Sequence, residues 1–128
     1  MTDQFLGKQM LIIDDHVATG LTLKAILERE DYRVWYASNA DQANDLVDSQ
    51  DFDFAIIDLD VDRNGINVLQ SLKARQPRCS AMILTGYPSQ EAAEAAFREG
   101  AVSFMTKPCD IQELKRVIRQ ALEQPASD

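Results

Sequence analysis

At 128 residues and a formal net charge of -8, the chain fits one domain that buries about two-thirds of its unfolded surface. So acidic a chain carries no general electrostatic footprint for nucleic acid or an anionic membrane, and a protein partner or a cation is the expected counterpart. Cys79 and Cys109 lack metal-ligand spacing, Met1-Thr2-Asp3-Gln4-Phe5 shows no signal pattern, and no apolar run approaches membrane-spanning length, so free thiols and a cytoplasmic location are expected.

The first strand is read in Lys8-Gln9-Met10-Leu11-Ile12-Ile13, running into Asp14-Asp15. Val17, Leu21, Ile26 and Leu27 then form an apolar stripe on a helix ending near Glu30, although Gly20 inside it should cost about 1 kcal/mol relative to Ala. Arg33-Val34-Trp35-Tyr36-Ala37 alternates as a second strand, and Ser38-Asn39 can cap a helix with Ala43, Leu46 and Val47 on one side. Phe54-Ala55-Ile56-Ile57 is a short unbroken apolar run, the pattern of a strand buried on both faces. It ends at Asp58.

Asn64-Gly65 marks a turn before a helix carrying Val68, Leu69 and Leu72, which stops before Pro77. The fourth strand is Cys79 to Leu84 and runs into Thr85. Pro88-Ser89 opens an alanine-rich helix that closes at Gly100, where a left-handed cap suits glycine. The fifth strand, Ala101 to Thr106, runs into Lys107. Asp110 with Glu113 forms a capping-box pattern ahead of Ile111, Leu114, Val117, Ile118 and Leu122 at helical spacing. Residues 1–123 thus read as one domain, and 124–128 as a tail or the start of a linker.

Five strand–helix repeats call for a parallel sheet with helices on both faces, in the α/β class. The most apolar strands being central fits the flavodoxin-like order 2-1-3-4-5. Such a sheet collects ligand groups beyond the carboxyl ends of its strands. Asp14, Asp15 and Asp58 would converge there, and carboxylates so close raise one another's pKa unless a cation is present. Oxygen ligands without a His or Cys cluster select a hard ion, and an open, watered site suits Mg²⁺. Singly, each Asp is more readily a helix cap, Thr85 a turn hydroxyl and Lys107 a surface amine. Together they supply a donor and a positive charge for a phosphoryl group.

This ordered set, Asp14-Asp15, Asp58, Thr85 and Lys107-Pro108, resembles the receiver domain of bacterial two-component response regulators, over about residues 8 to 123. The resemblance implies that Asp58 accepts a phosphoryl group from a sensor histidine kinase or phosphotransfer protein. It implies Mg²⁺ held by Asp15, the Asp58 carboxylate and the Asp60 carbonyl, with Asp14 acting mainly through water. Thr85 and Lys107 would bind the phosphoryl oxygens, and a cis bond would join Lys107 to Pro108. Such a chain is a signalling module for a downstream protein target, not a turnover enzyme. Self-phosphotransfer and self-dephosphorylation at Asp58 are its expected chemistry, with no direct contact to nucleic acid or membrane. On the family's pattern Phe104 turns inward as Thr85 moves; as an aromatic on a parallel strand it reads equally as plain core.

The loop after Asp58 departs from the family. Asp62 stands where a proline is usual, and Asn64-Gly65 comes one residue early, so the loop is shortened and more acidic. Two other readings compete. Asp58-Leu59-Asp60-Val61 and Ile83-Leu84-Thr85 resemble motifs of haloacid-dehalogenase-like phosphatases, and the altered loop would suit a degenerate receiver used as a scaffold. His16 reads as a solvent-facing residue at a helix start, and Trp35 as half-buried packing on an edge strand. Lys115, Arg116 and Arg119, with Glu91 and Glu94, form a solvated charged face or pair across a homodimer through the fourth and fifth helices.

Overall fold

The computed structural model describes residues 4–124. Its elements alternate without exception: β1 (Gln9–Ile13), α1 (Val17–Glu28), β2 (Arg33–Ala37), α2 (Ala40–Ser49), β3 (Phe54–Asp58), a 3-10 turn (Val61–Arg63), α3 (Gly65–Arg75), β4 (Ser80–Thr85), α4 (Gln90–Arg98), β5 (Ser103–Thr106) and α5 (Ile111–Glu123). The strands form one parallel sheet in the order β2-β1-β3-β4-β5. The flavodoxin-like order expected from apolar patterning is the observed one.

Side chains alternate across this sheet and build two cores. Leu11, Ile13, Ala55, Ile57, Ala81 and Ile83 pack with Ala43, Val47, Val68, Leu69, Leu72 and Ala96, so α2, α3 and α4 cover one face. Met10, Ile12, Phe54, Ile56, Met82 and Leu84 pack with Leu23, Leu27, Leu114 and Ile118, so α1 and α5 cover the other. The central strands β3 and β4 are buried throughout, as continuous apolar runs require.

Local chemistry sets the helix starts. Asn39, Asn64, Ser89 and Asp110 each accept an N–H from their own first turn, as short polar side chains at N-caps do. The capping box expected at Asp110 forms only by half, because the Glu113 carboxylate takes the Arg116 guanidinium instead. Gly100 ends α4 at φ +99°, as its position predicts.

The apolar stripe expected on α1 is rotated. Gly20, Leu23 and Leu27 face the sheet, whereas Val17 and Leu21 are about half exposed. Gly20 decides this. A Cβ there would lie 2.1 Å from Tyr36 Cε1, so the helix approaches β2 closely only along its glycine face. Trp35 lies half-buried on the edge strand β2 with its ring 5.8 Å edge-on from Phe52, as packing and not as an open platform.

Candidate functional site

The backbone ladder runs one residue past three strand ends and so fixes what stands there. Asp14 N–H donates to Ala37 O (3.1 Å), Leu59 N–H to Leu84 O (2.9 Å), and Lys107 N–H to Thr85 O (2.7 Å). Asp58 is in register with Leu84, and Thr85 with Thr106. The sheet's carboxyl edge therefore gathers Asp14, Asp15, Asp58, Thr85 and Lys107, the residues expected to converge. The Lys107–Pro108 bond is cis.

Asp14 and Asp58 are 2% and 1% exposed, although carboxylates are seldom buried unpaired. Asp14 Oδ1 accepts the His16 N–H (2.8 Å), and Asp58 Oδ1 accepts the Asp60 N–H (3.1 Å). Their other oxygens face Lys107, whose Nζ lies 3.0 Å from Asp14 Oδ2 and 3.5 Å from Asp58 Oδ2. That contact is ionic without hydrogen-bond alignment, so both buried oxygens lack a hydrogen-bond partner.

The charge balance shifts the ionisation of Asp58 and Lys107. Burial pushes the Asp58 carboxyl up to about 6; the Asp60 N–H opposes this, the Asp14 charge and the Asp15 contact reinforce it, and Lys107 opposes it. Burial alone would lower the Lys107 ammonium, but the Asp14 and Asp58 carboxylates outweigh it and hold it above its usual value. Two buried carboxylates against one cation leave the pocket short of positive charge.

A hard divalent cation fits this deficit. One ligand atom each from Asp14, Asp15, His16 and Asp58 lies within 4.8 Å of the others, and the two buried oxygens without a hydrogen bond share a single cation, Lys107. The Asp60 carbonyl, the further ligand expected from sequence, accepts the Arg63 N–H (2.9 Å), which occupies one of its two lone pairs. His16 is solvent-facing, with 71% of its side chain exposed, yet its Nδ1 lies 3.3 Å from Asp15 Oδ1.

Thr85 is fully buried, and its Oγ1 accepts the Tyr87 N–H (3.0 Å), which leaves the hydroxyl proton uncommitted by that bond. Phe104 is half-buried against the core formed with α2, α3 and α4. The shortened loop is resolved by backbone strain. Asp62 and Arg63 take positive φ of 48° and 62°, and the Asp62 carboxylate accepts the Ala40 N–H (2.6 Å) at the start of α2. The loop's extra acid is thereby bound to a helix end.

Sequence reasoning passed over Tyr36, whose hydroxyl donates to the Asp14 carbonyl. Its alternation as a strand residue was visible, but a contact 22 residues away in sequence was not. Both cysteines are free, as expected. Burial raises both thiols, Cys79 to about 12, so neither is a ready nucleophile.

A family model described as the response regulator receiver domain matches residues 10–119. The alginate biosynthesis transcriptional regulatory protein AlgB of Pseudomonas aeruginosa is 34% identical over 116 residues, covering 90% of this chain and 26% of AlgB. The chain thus spans about a quarter of the length of such curated relatives. Among solved structures, a CheY-like receiver domain protein of Methanospirillum hungatei superposes with a TM-score of 0.88 at 28% identity, over 92% of this chain and 95% of that one. A response regulator of Burkholderia pseudomallei, solved with a phosphorylated aspartic acid, calcium ion and citrate, gives 0.84 at 30% identity, over 91% of this chain and 69% of that one.

Proposed function

The chain belongs to the response regulator receiver domains of two-component systems, and from that membership we propose that Asp58 is the residue that takes up the phosphoryl group. The observation that carries this reading is the Asp58 carboxylate itself. It is buried at the end of the central strand, with Oδ2 lacking a hydrogen bond and facing a lysine.

The donor is a phosphohistidine on a sensor histidine kinase or phosphotransfer protein. Asp58 Oδ2 attacks phosphorus in line, the phosphorus–nitrogen bond breaks, and the imidazole leaves with the bonding pair. Mg²⁺, held by Asp15, the Asp58 carboxylate and the Asp60 carbonyl with Asp14 acting through water, would neutralise charge on the transferring oxygens. Lys107 supplies a fixed positive charge to the same oxygens. Thr85 turns its hydroxyl proton toward them.

The chemistry is stoichiometric, with hydrolysis of the acyl phosphate returning Asp58 to its free form. A charge near -2 at the sheet edge shifts Thr85, and Phe104 turns inward to fill the space it leaves. That motion alters the surface presented to a downstream protein, and pairing through α4 and α5 is one form the output takes. We assign residues 1–123 to the receiver and 124–128 to a tail or the start of a linker, and place the domain in the cytoplasm. Among the described residues no helix is long and apolar enough to cross a membrane.

Intact mass after incubation with acetyl phosphate and Mg²⁺ tests the assignment. One added phosphoryl group is expected, absent in Asp58→Asn and after chelation. An adduct that persists in Asp58→Asn overturns it. Steady phosphate release from a small phosphomonoester would instead favour the phosphatase reading.

A further inference from the structure

The structure ties the acidic loop to the edge strand at one side chain. Asp14 is bound on both its backbone groups from β2: its N–H donates to Ala37 O (3.1 Å), and its carbonyl accepts the hydroxyl of Tyr36. The Tyr36 ring reaches this carbonyl by lying across α1 at Gly20, the residue where a Cβ would fall 2.1 Å from the ring. Gly20 N–H in turn donates to His16 O (3.0 Å), which closes the first turn behind the acidic pair. Tyr36 therefore contacts both ends of the segment that carries Asp14 and Asp15.

Ring and glycine fit as a pair. A helix interior disfavours glycine by about 1 kcal/mol, and at this position only glycine admits the ring.

We propose that Tyr36 is a positioning residue for the cation site, its hydroxyl fixing the Asp14 carbonyl and its ring locking α1 at Gly20 so that the Asp14 and Asp15 carboxylates converge with Asp58. Tyr36 touches neither the cation nor the phosphoryl group. Its effect falls on the concentration of Mg²⁺ the site needs, not on the transfer step once the site is filled. The inference rests on the receiver reading of Asp14, Asp15 and Asp58.

The test uses the full 128-residue chain with Mg²⁺ as the probe. Tyr36→Phe keeps the ring over Gly20 and removes only the hydroxyl. The loss of one hydrogen bond predicts a roughly three- to tenfold rise in the Mg²⁺ dissociation constant by calorimetry. The same rise is expected in the Mg²⁺ concentration that half-saturates phosphorylation by acetyl phosphate. At saturating Mg²⁺ the rate should stay within about twofold of the unaltered chain. Gly20→Ala, which forces the ring aside, should move the Mg²⁺ midpoint in the same direction.

A merely structural role would lower Tm and leave that midpoint in place. An unmoved midpoint in either variant, with the unaltered chain binding Mg²⁺ normally, overturns the positioning role and leaves the receiver reading intact. Absence of Mg²⁺ binding in the unaltered chain overturns both.

Discussion

Gly65 lies so close under Asp58 that a Cβ on it would fall 2.4 Å from the Asp58 carbonyl oxygen and 2.7 Å from Leu59 Cα. Its N–H donates to Leu59 O (2.7 Å), so α3 begins directly against the backbone at the end of β3. Both obstacles are main chain at the end of the buried strand β3 and cannot swing aside. Gly65→Ala is expected to destabilise the protein by about 2–3 kcal/mol, as overpacking against a rigid wall does. It should also slow formation of the Asp58 adduct. Urea denaturation and intact mass would check the two effects, and unchanged stability would mean that the start of α3 yields.

The buried Asp58 carboxyl, pushed up to about 6, makes metal-free stability depend on pH. A raised acid pKa means the native state holds its proton longer than the unfolded chain. The stabilisation is full below the unfolded value near 4 and is lost as pH rises through about 6. With each unit worth about 1.4 kcal/mol, the loss is on the order of 3 kcal/mol. Because other carboxylates titrate in the same range, the clean quantity is the difference from Asp58→Asn. In chelator, the Asn variant should gain on the unaltered protein by about that amount between pH 4 and pH 7. A difference that stays flat across that range would show that Asp58 ionises without penalty.

Mg²⁺ should reverse this penalty, because the cation favours the ionised carboxylates that repel one another without it. At a hundredfold excess over its dissociation constant it should add about 2.7 kcal/mol of stability at pH 7.5. Asp15→Asn and Asp58→Asn should each lose most of that gain. Binding should weaken as pH falls below about 6, where Asp58 takes a proton. Thermal melts with and without metal at pH 7.5 and pH 5 would measure it. A gain that Asp58→Asn retains in full would place the cation elsewhere.

The left-handed pair after Asp58 predicts opposite outcomes at neighbouring positions. Arg63 at φ 62° is exposed and has no glycine-like freedom. A left-handed side chain costs about 1–2 kcal/mol, and glycine's extra unfolded entropy returns about half of that. Arg63→Gly should therefore stabilise by about 0.5–1 kcal/mol. Asp62→Ala should cost about 1 kcal/mol, because it removes the carboxylate that accepts Ala40 N–H at the start of α2. Chemical denaturation of the two variants would show the opposed signs.

Sequence pattern made the sheet legible because β3 and β4 are buried on both faces, and such strands have no polar alternation to mislead. The strand ends carried the site with them, since a residue just past a parallel strand has only the carboxyl edge to occupy. Side-chain direction was less legible. Val17 and Leu21 follow helical spacing yet lie outside the core, because the Tyr36 ring turns α1 toward its glycine face. The shortened loop suggested extra acidity near the cation. Only the positive φ values of Asp62 and Arg63 show how the Asp62 carboxylate is carried to α2.

Strand β3 sends Ala55 and Ile57 into one core and Phe54 and Ile56 into the other, with each of its residues no more than 2% exposed. Its amides should accordingly be among the slowest in the protein to trade protons with deuterated water, opening only when the whole domain opens. Asp58 is thus mounted on the part of the fold least able to breathe. On the proposed reading, a phosphoryl group taken up there cannot have its effect dissipated by fraying of its own strand; it has to leave through the loops at either side.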